Sequence, residues 1–148
     1  MNYNHTMNSL PNLVAIVASF LILFFLNYIF YGVVAAEFFE DHAGSATGVQ
    51  KENVDMIFIF LGTVVQAIAL TLLYAKWAQG NHDMASGARF GALAGTFAGF
   101  GMTLIMYGTS NLFDMTALLV DGFWYIFLYG LCGSVIALSM KKVNARSA

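Results

Sequence analysis

The chain carries very little charge. Only 9% of its 148 residues are Asp, Glu, Lys or Arg, against about a quarter in an ordinary soluble domain. That scarcity excludes a water-exposed globule of this length. The net charge of −2 offers no basic surface to a nucleic acid. Proline occurs once, at Pro11, so nothing in the interior of the chain breaks a long helix. Cysteine also occurs once, at Cys132, which excludes an intramolecular disulfide and a CxxC pair. Cys132 sits among small residues in "GLCGS" and reads as a helix-contact residue rather than a reactive thiol. There is no GxSxG, no HExxH, no EF-hand loop and no glycine-rich nucleotide loop after a strand. No nucleophile–base or metal constellation is visible, so the chain reads as a non-enzyme with no metal and no required cofactor. Its eight Met residues and 16% aromatics would still accommodate a lipid or a hydrophobic pigment.

Apolar sequence is abundant, at 59% of the chain with a mean hydropathy of +0.73. It falls into four runs, about 13–37, 56–77, 88–107 and 117–140. Each is near or above the roughly 20 residues that a helix needs to cross a bilayer. The predicted fold is an all-α membrane protein, a four-transmembrane-helix bundle forming one integral domain over 1–148. The opening "MNYNHTMNSLPN" has no Lys or Arg, which favours a permanent first span over a cleaved signal peptide. Between the runs lie "EDHAGSATGVQKENVD", "AQGNHDMASG" and "GTSNLFDM", whose Ser, Gly and Asn content marks loops. Ser9 or Asn12 is placed to cap the first helix with Pro11 in its opening turn, and Asn53 to cap the second beside Asp55.

Charge distribution sets the expected orientation. Lys76, Arg89, Lys141, Lys142 and Arg146 fall on one side of this layout and only Lys51 on the other. The positive-inside rule then puts both termini in the cytoplasm, in a bacterial cytoplasmic (inner) membrane. The sequon Asn4-His5-Thr6 would lie inside and reads as chance. Glu37, Glu40, Asp41, Glu52, Asp55, Asp114 and Asp121 gather on the opposite side, with only Asp83 among the bases. Two readings follow: a solvated acidic rim, or a site that concentrates protons, metal cations or a basic ligand.

Gly87, Gly91, Gly95 and Gly99 recur every four residues along the third run. In lipid such a series lets another backbone approach closely, so it reads as a helix-packing ridge. Gly130 with Ser134, and Gly133 with Ala137, offer a matching surface on the fourth run, and packing within the chain is the favoured arrangement. The bulky Phe20, Phe24, Phe25 and Phe30 of the first run would then face lipid or partners.

Asp121, one turn inside the fourth run, is the most suggestive single residue, because a carboxylate within a span is costly. Its structural reading is a carboxylate that meets water beside the belt residue Trp124, or that bonds to Tyr125 one turn away. Glu37 is its counterpart at the end of the first run. With Glu40, Asp41, His42 and Asp121 it makes a conceivable oxygen-rich cation site that matches no metal signature. Asn27, Gln66, Thr96 and Tyr129 lie near mid-depth, and an Asn27–Gln66 hydrogen bond would satisfy the two amides. No charge lies at mid-depth, which reads against a proton-coupled antiporter of the small multidrug type. The expected function is a small polytopic membrane protein that self-assembles or serves as a non-catalytic subunit of a larger complex. The alternative is a small transporter or channel for a cation or small polar solute, its path running from Glu37 and Asp121 through the mid-depth residues.

One family resembles this pattern. Asn12 begins "NLVAIVASFLILFFLNYIFYG", Phe30-Tyr31-Gly32 forms an aromatic–Tyr–Gly turn, and Phe38 and Phe39 follow. A glycine-rich third run, Phe113, Asp121 before an aromatic stretch, and Gly133 complete it. This is similar to the small four-span bacterial proteins grouped as domain of unknown function 1761, with Phe30 standing where their pattern usually has Trp. The resemblance covers nearly the whole chain and implies a four-span fold without an established activity.

Overall fold

The structure, a computed structural model, describes residues 10–49, 51 and 53–147. The expectations for Ser9, Glu52 and the Asn4 sequon lie outside the described residues. Helix α1 (Leu10–Ile29) runs on through a π turn (Phe30–Val34), and a short α2 follows (Ala36–Asp41). Next come α3 (Met56–Ala78) and α4 (Met84–Thr96), the latter continuing through a second π turn (Phe97–Gly101) into α5 (Met102–Thr109). The long α6 (Met115–Ser147) closes the chain. The described residues contain no strand, only an isolated antiparallel bridge between Ala43 and Phe113. Leu10–Val34, Met56–Ala78, Met84–Thr109 and Met115–Ala145 are each long and apolar enough to cross a membrane. The fold is therefore all-α, a four-span membrane bundle.

Local sequence accounts for the helix ends. Asp55, not Asn53, caps α3, its carboxylate accepting the Ile57 N–H at 3.2 Å. Asp55 is the residue in extended conformation at the Ncap, and there a carboxylate meets both the unpaired N–H groups and the positive end of the helix dipole. Asp83 does the same for α4, accepting from Ala85 at 2.9 Å and Ser86 at 3.2 Å. Asp114 accepts the Ala117 N–H at 2.8 Å at the start of α6. Between α3 and α4 the chain reverses through Gln79 and Gly80, both at positive φ. Pro11 lies in the first turn of α1, where its missing N–H has no helical partner to lose. Asn12 is buried one residue further on, inside the helix.

The first span ends differently from the sequence expectation of 13–37. Ala35 leaves helical geometry (φ −115°, ψ 12°), so Glu37 falls on the separate α2 rather than on the span. The π turn just before it is closed by the Ala35 N–H donating to the Phe30 carbonyl at 2.7 Å. Such a turn holds an extra residue and re-aims the side chains around it.

Glycine dictates how α4 and α6 meet. A Cβ on Gly91 would lie 1.9 Å from the Tyr129 carbonyl oxygen, and one on Gly95 2.4 Å from that of Tyr125. A Cβ on Gly87 would lie 2.3 Å from the Gly133 carbonyl oxygen, and one on Gly133 2.2 Å from that of Gly87. Gly99 continues the seam against Tyr125 and Gly122. Any side chain would push the helices apart, so the seam admits glycine only. In lipid, where apolar burial gains little over contact with acyl chains, close backbone contact of this kind holds helices together. Gly130 is looser: a Cβ there would meet Ala88 at an ordinary 3.6 Å.

Helix α1 lies on the other side of α6. Ser19 and Thr71 bring their hydroxyls to 3.4 Å at the α1–α3 contact, and Cys132 lies fully buried beside the Ser19 carbonyl. Phe20 and Phe24 pack edge-on against Phe60 of α3, with ring centres 5.0 and 6.2 Å apart. Phe30 stacks flat on Trp124 of α6 at 3.9 Å. Only Phe25 of the four aromatics expected to face outward is mostly exposed, at 54%. The other three serve as contacts inside the chain, because α1 is wedged between α3 and α6.

Candidate functional site

The end of the bundle away from the α3–α4 turn is tied together by its loops. Gly44 donates its N–H to the Leu112 carbonyl and Ala46 to that of Asn111, both at 3.0 Å. Asp114 donates in return to the His42 carbonyl, also at 3.0 Å. A Cβ on Gly44 would lie 2.1 Å from the Asn111 oxygen, so this crossing needs glycine. The result is a short roof over the space between α1, α2, α5 and α6.

Under that roof lies a cavity of about 470 Å³. Its polar wall is Tyr31, Asp121, Tyr125, Thr103 and Glu40. Phe39, Leu112 and Phe113 supply apolar wall, and among the described residues no Lys, Arg or His lines it. The first π turn carries Tyr31 inward, and its hydroxyl donates to Asp121 Oδ1 across 90 residues of sequence. Tyr125 faces the same two groups. Asp121 therefore bonds to α1 rather than to Tyr125 within its own helix, the partner expected from spacing alone. A carboxylate one turn inside a span can be held by an interhelical hydroxyl, which also fixes how α1 sits on α6.

Thr103 is the unusual member. Thr63, Thr96 and Thr109 each donate their hydroxyl to the carbonyl four residues back, at 2.8 to 2.9 Å. The Thr103 hydroxyl is buried without a partner. It directly follows the second π turn, where the Met102 N–H bonds back to the carbonyls of Gly99 and Phe97.

A second cavity, about 520 Å³, opens between α1 and α3 and shares Tyr31 as a wall. Asn27 and Gln66 both line it, with Phe24, Gly32 and Gly62. The two amides do not pair. Asn27 accepts instead from the indole N–H of Trp124 on α6, at 3.0 Å. Gln66 is exposed toward the groove.

The sequence candidates thus separate into several places. Asp121 is in the roofed cavity; Glu37 is exposed on α2, and Glu40 takes its place on the cavity wall. Asn27 and Gln66 belong to the α1–α3 groove. Thr96 is exposed on α4 and bonded to its own helix. Tyr129 lies in the core, 8% exposed. Gly87, Gly91, Gly95, Gly99 and Gly133 form the α4–α6 seam, while Ser134 returns its hydroxyl to the Gly130 carbonyl at 2.9 Å. Among the described residues no group of three or more His, Cys, Asp or Glu is arranged to hold a metal. Sequence reasoning missed Thr103 as a cavity group, whereas Glu40 and Asp121, grouped in the sequence as part of an oxygen-rich site, do share this wall. Tyr31 and Phe113, which the sequence offers no chemical reason to single out, lie on this wall with Asp121. No protein-family model, no curated protein and no solved structure matches the chain.

Proposed function

We propose that this protein is a non-catalytic, multi-pass component of a membrane assembly, built from further copies of itself or with other membrane subunits. One observation carries the reading. Every residue from Met56 to Gly62 is exposed, which covers about two full turns of α3 on all sides. Ile57 and Phe58 are 69% and 70% exposed, and a Cβ on Gly62 would meet nothing within 4 Å. These first two turns of α3, which meet α1 through Phe60 and adjoin a groove lined by the unpaired Gln66 amide, read as the surface of an incomplete bundle. A partner helix bearing a small or hydrogen-bonding residue would fill the groove and satisfy Gln66.

By the same reasoning the Lys- and Arg-rich ends face a bacterial cytoplasm and the roofed cavity opens outward. The transporter alternative keeps its outer cavity, but Asn27, Gln66, Thr96 and Tyr129 do not line one route through the bundle. Benzoylphenylalanine in place of Phe58 tests the assembly reading, because it preserves an aromatic side chain. Photolysis in intact membranes should give discrete protein adducts from position 58 and none from the control position Leu93, itself 67% exposed on α4. Adducts to lipid alone at position 58 would refute it.

A further inference from the structure

We propose that the roofed cavity is a binding site for a primary organic ammonium ion carrying a short apolar group. The inference goes beyond assembly and does not require it. Three features of the wall select this chemistry. First, the two carboxyl groups, Asp121 and Glu40, are accompanied by no basic side chain, so the cavity has nothing of its own to neutralise them. Second, Thr103 lines the cavity, is 7% exposed, and holds a buried hydroxyl with no partner, an unmet hydrogen-bonding group just behind the wall. Third, Phe39 lies beside Tyr31 with ring centres 5.4 Å apart, and with Phe113 it gives aromatic surface next to the acids.

A primary ammonium has three N–H donors and no acceptor. Asp121 keeps an oxygen that Tyr31 does not use, Glu40 supplies another carboxylate oxygen at the wall, and rotation of the Thr103 side chain would turn its unpartnered hydroxyl toward the same ligand. The aromatic rings favour a cation near their faces and accept the apolar group of the same ligand. A bare metal ion fits less well, since no cluster of three or more His, Cys, Asp or Glu ligands exists among the described residues. At about 470 Å³ the space falls within the range of small-molecule sites, roughly 300–1,000 Å³.

The test is calorimetric titration of the full-length protein in detergent with 2-phenylethylammonium chloride, and with 2-phenylethanol as its neutral counterpart. The ammonium should bind and the alcohol should bind at least about tenfold more weakly, the scale of a charge-assisted pair. Asp121→Asn keeps the acceptor for Tyr31 and should weaken the ammonium at least about tenfold. Thr103→Val and Glu40→Gln should each weaken it several-fold, whereas Thr109→Val, whose hydroxyl is already bonded within its helix, should change nothing. If Asp121→Asn proves unfolded by its melting curve, Glu40→Gln on the exposed α2 position decides the matter alone. Equal binding of the alcohol, calcium chloride displacing the ammonium at equal concentration, no heat with folded protein, or unchanged affinity in Glu40→Gln and Thr103→Val would each overturn the proposal.

Discussion

Replacing Gly91 by alanine isolates what holds α4 against α6. On helix propensity alone the change is favourable by about 1 kcal/mol, since glycine is a poor helix former. Packing reverses the sign. The new Cβ would lie 1.9 Å from the Tyr129 carbonyl oxygen, about 1.5 Å short of ordinary contact. Both atoms are fixed to backbone, so no rotamer relieves the clash and the two helices must part. Parting them also opens the contacts of Gly87 with Gly133 and of Gly95 with Tyr125 on the same seam. Overpacking of this kind costs about 1–3 kcal/mol or more. A net loss of roughly 2 kcal/mol would lower the melting temperature by about 4–8 °C, taking about 2–4 °C per kcal/mol. Thermal unfolding of the purified protein in one detergent measures this against two controls. Gly62→Ala points into open space and should melt at or above the wild type. Gly130→Ala, with its nearest neighbour at 3.6 Å, should be close to neutral. If Gly91→Ala melts with Gly62→Ala, the seam does not control stability and the reasoning fails.

Three further outcomes follow from other contacts. Asn27→Leu removes the acceptor of the Trp124 indole and should destabilise the protein by about 1 kcal/mol, with a blue shift of tryptophan emission from the unbonded ring; an unchanged spectrum and melt would argue against that bond. Gly44→Ala cannot keep the roof, because its Cβ would meet Asn111 at 2.1 Å, so trypsin should cut at Lys51 faster in the variant than in the wild type; equal rates would contradict the roof. Asp83 is held below its ordinary pKa of 3.8, first by its hydrogen bond with the Ser86 side chain and then by the Ala85 N–H. A depressed carboxylate contributes stability above its unfolded value and loses it as pH falls through the folded value. The melting difference between wild type and Asp83→Ala should therefore be full at neutral pH and shrink below pH 3.8; a difference that is independent of pH would refute the cap.

Spans and seam were legible because they rest on local chemistry. Apolar run length is set by bilayer thickness, and a four-residue glycine period declares a close-contact face whatever it meets. Partners were not legible. Asp121 and Tyr125 are one turn apart in sequence, yet Tyr31 donates to Asp121, because the π turn after Ile29 re-aims the side chains that follow it. Nothing in "NYIFYG" announces that extra residue. Asn27 likewise chose an indole on α6 over the amide on α3, a choice made by how α1 is wedged. Thr103 looked like any threonine in a helix. Its unsatisfied hydroxyl arises from the second π turn, which periodicity does not reveal. Charge counting found the acidic end of the bundle and grouped Glu37, Glu40, Asp41, His42 and Asp121, of which the bend at Ala35 leaves Glu40 and Asp121 on the cavity wall.

The central claim is that the exposed first two turns of α3 are covered by another protein helix in the membrane. Native mass of the complex, extracted from its own membrane in polymer-bounded lipid particles with every component identified, tests it most directly. The account predicts a stoichiometric particle larger than the 16.1 kDa chain, whose mass falls when Gly62→Trp fills the groove. A single 16.1 kDa chain surrounded only by lipid would contradict it.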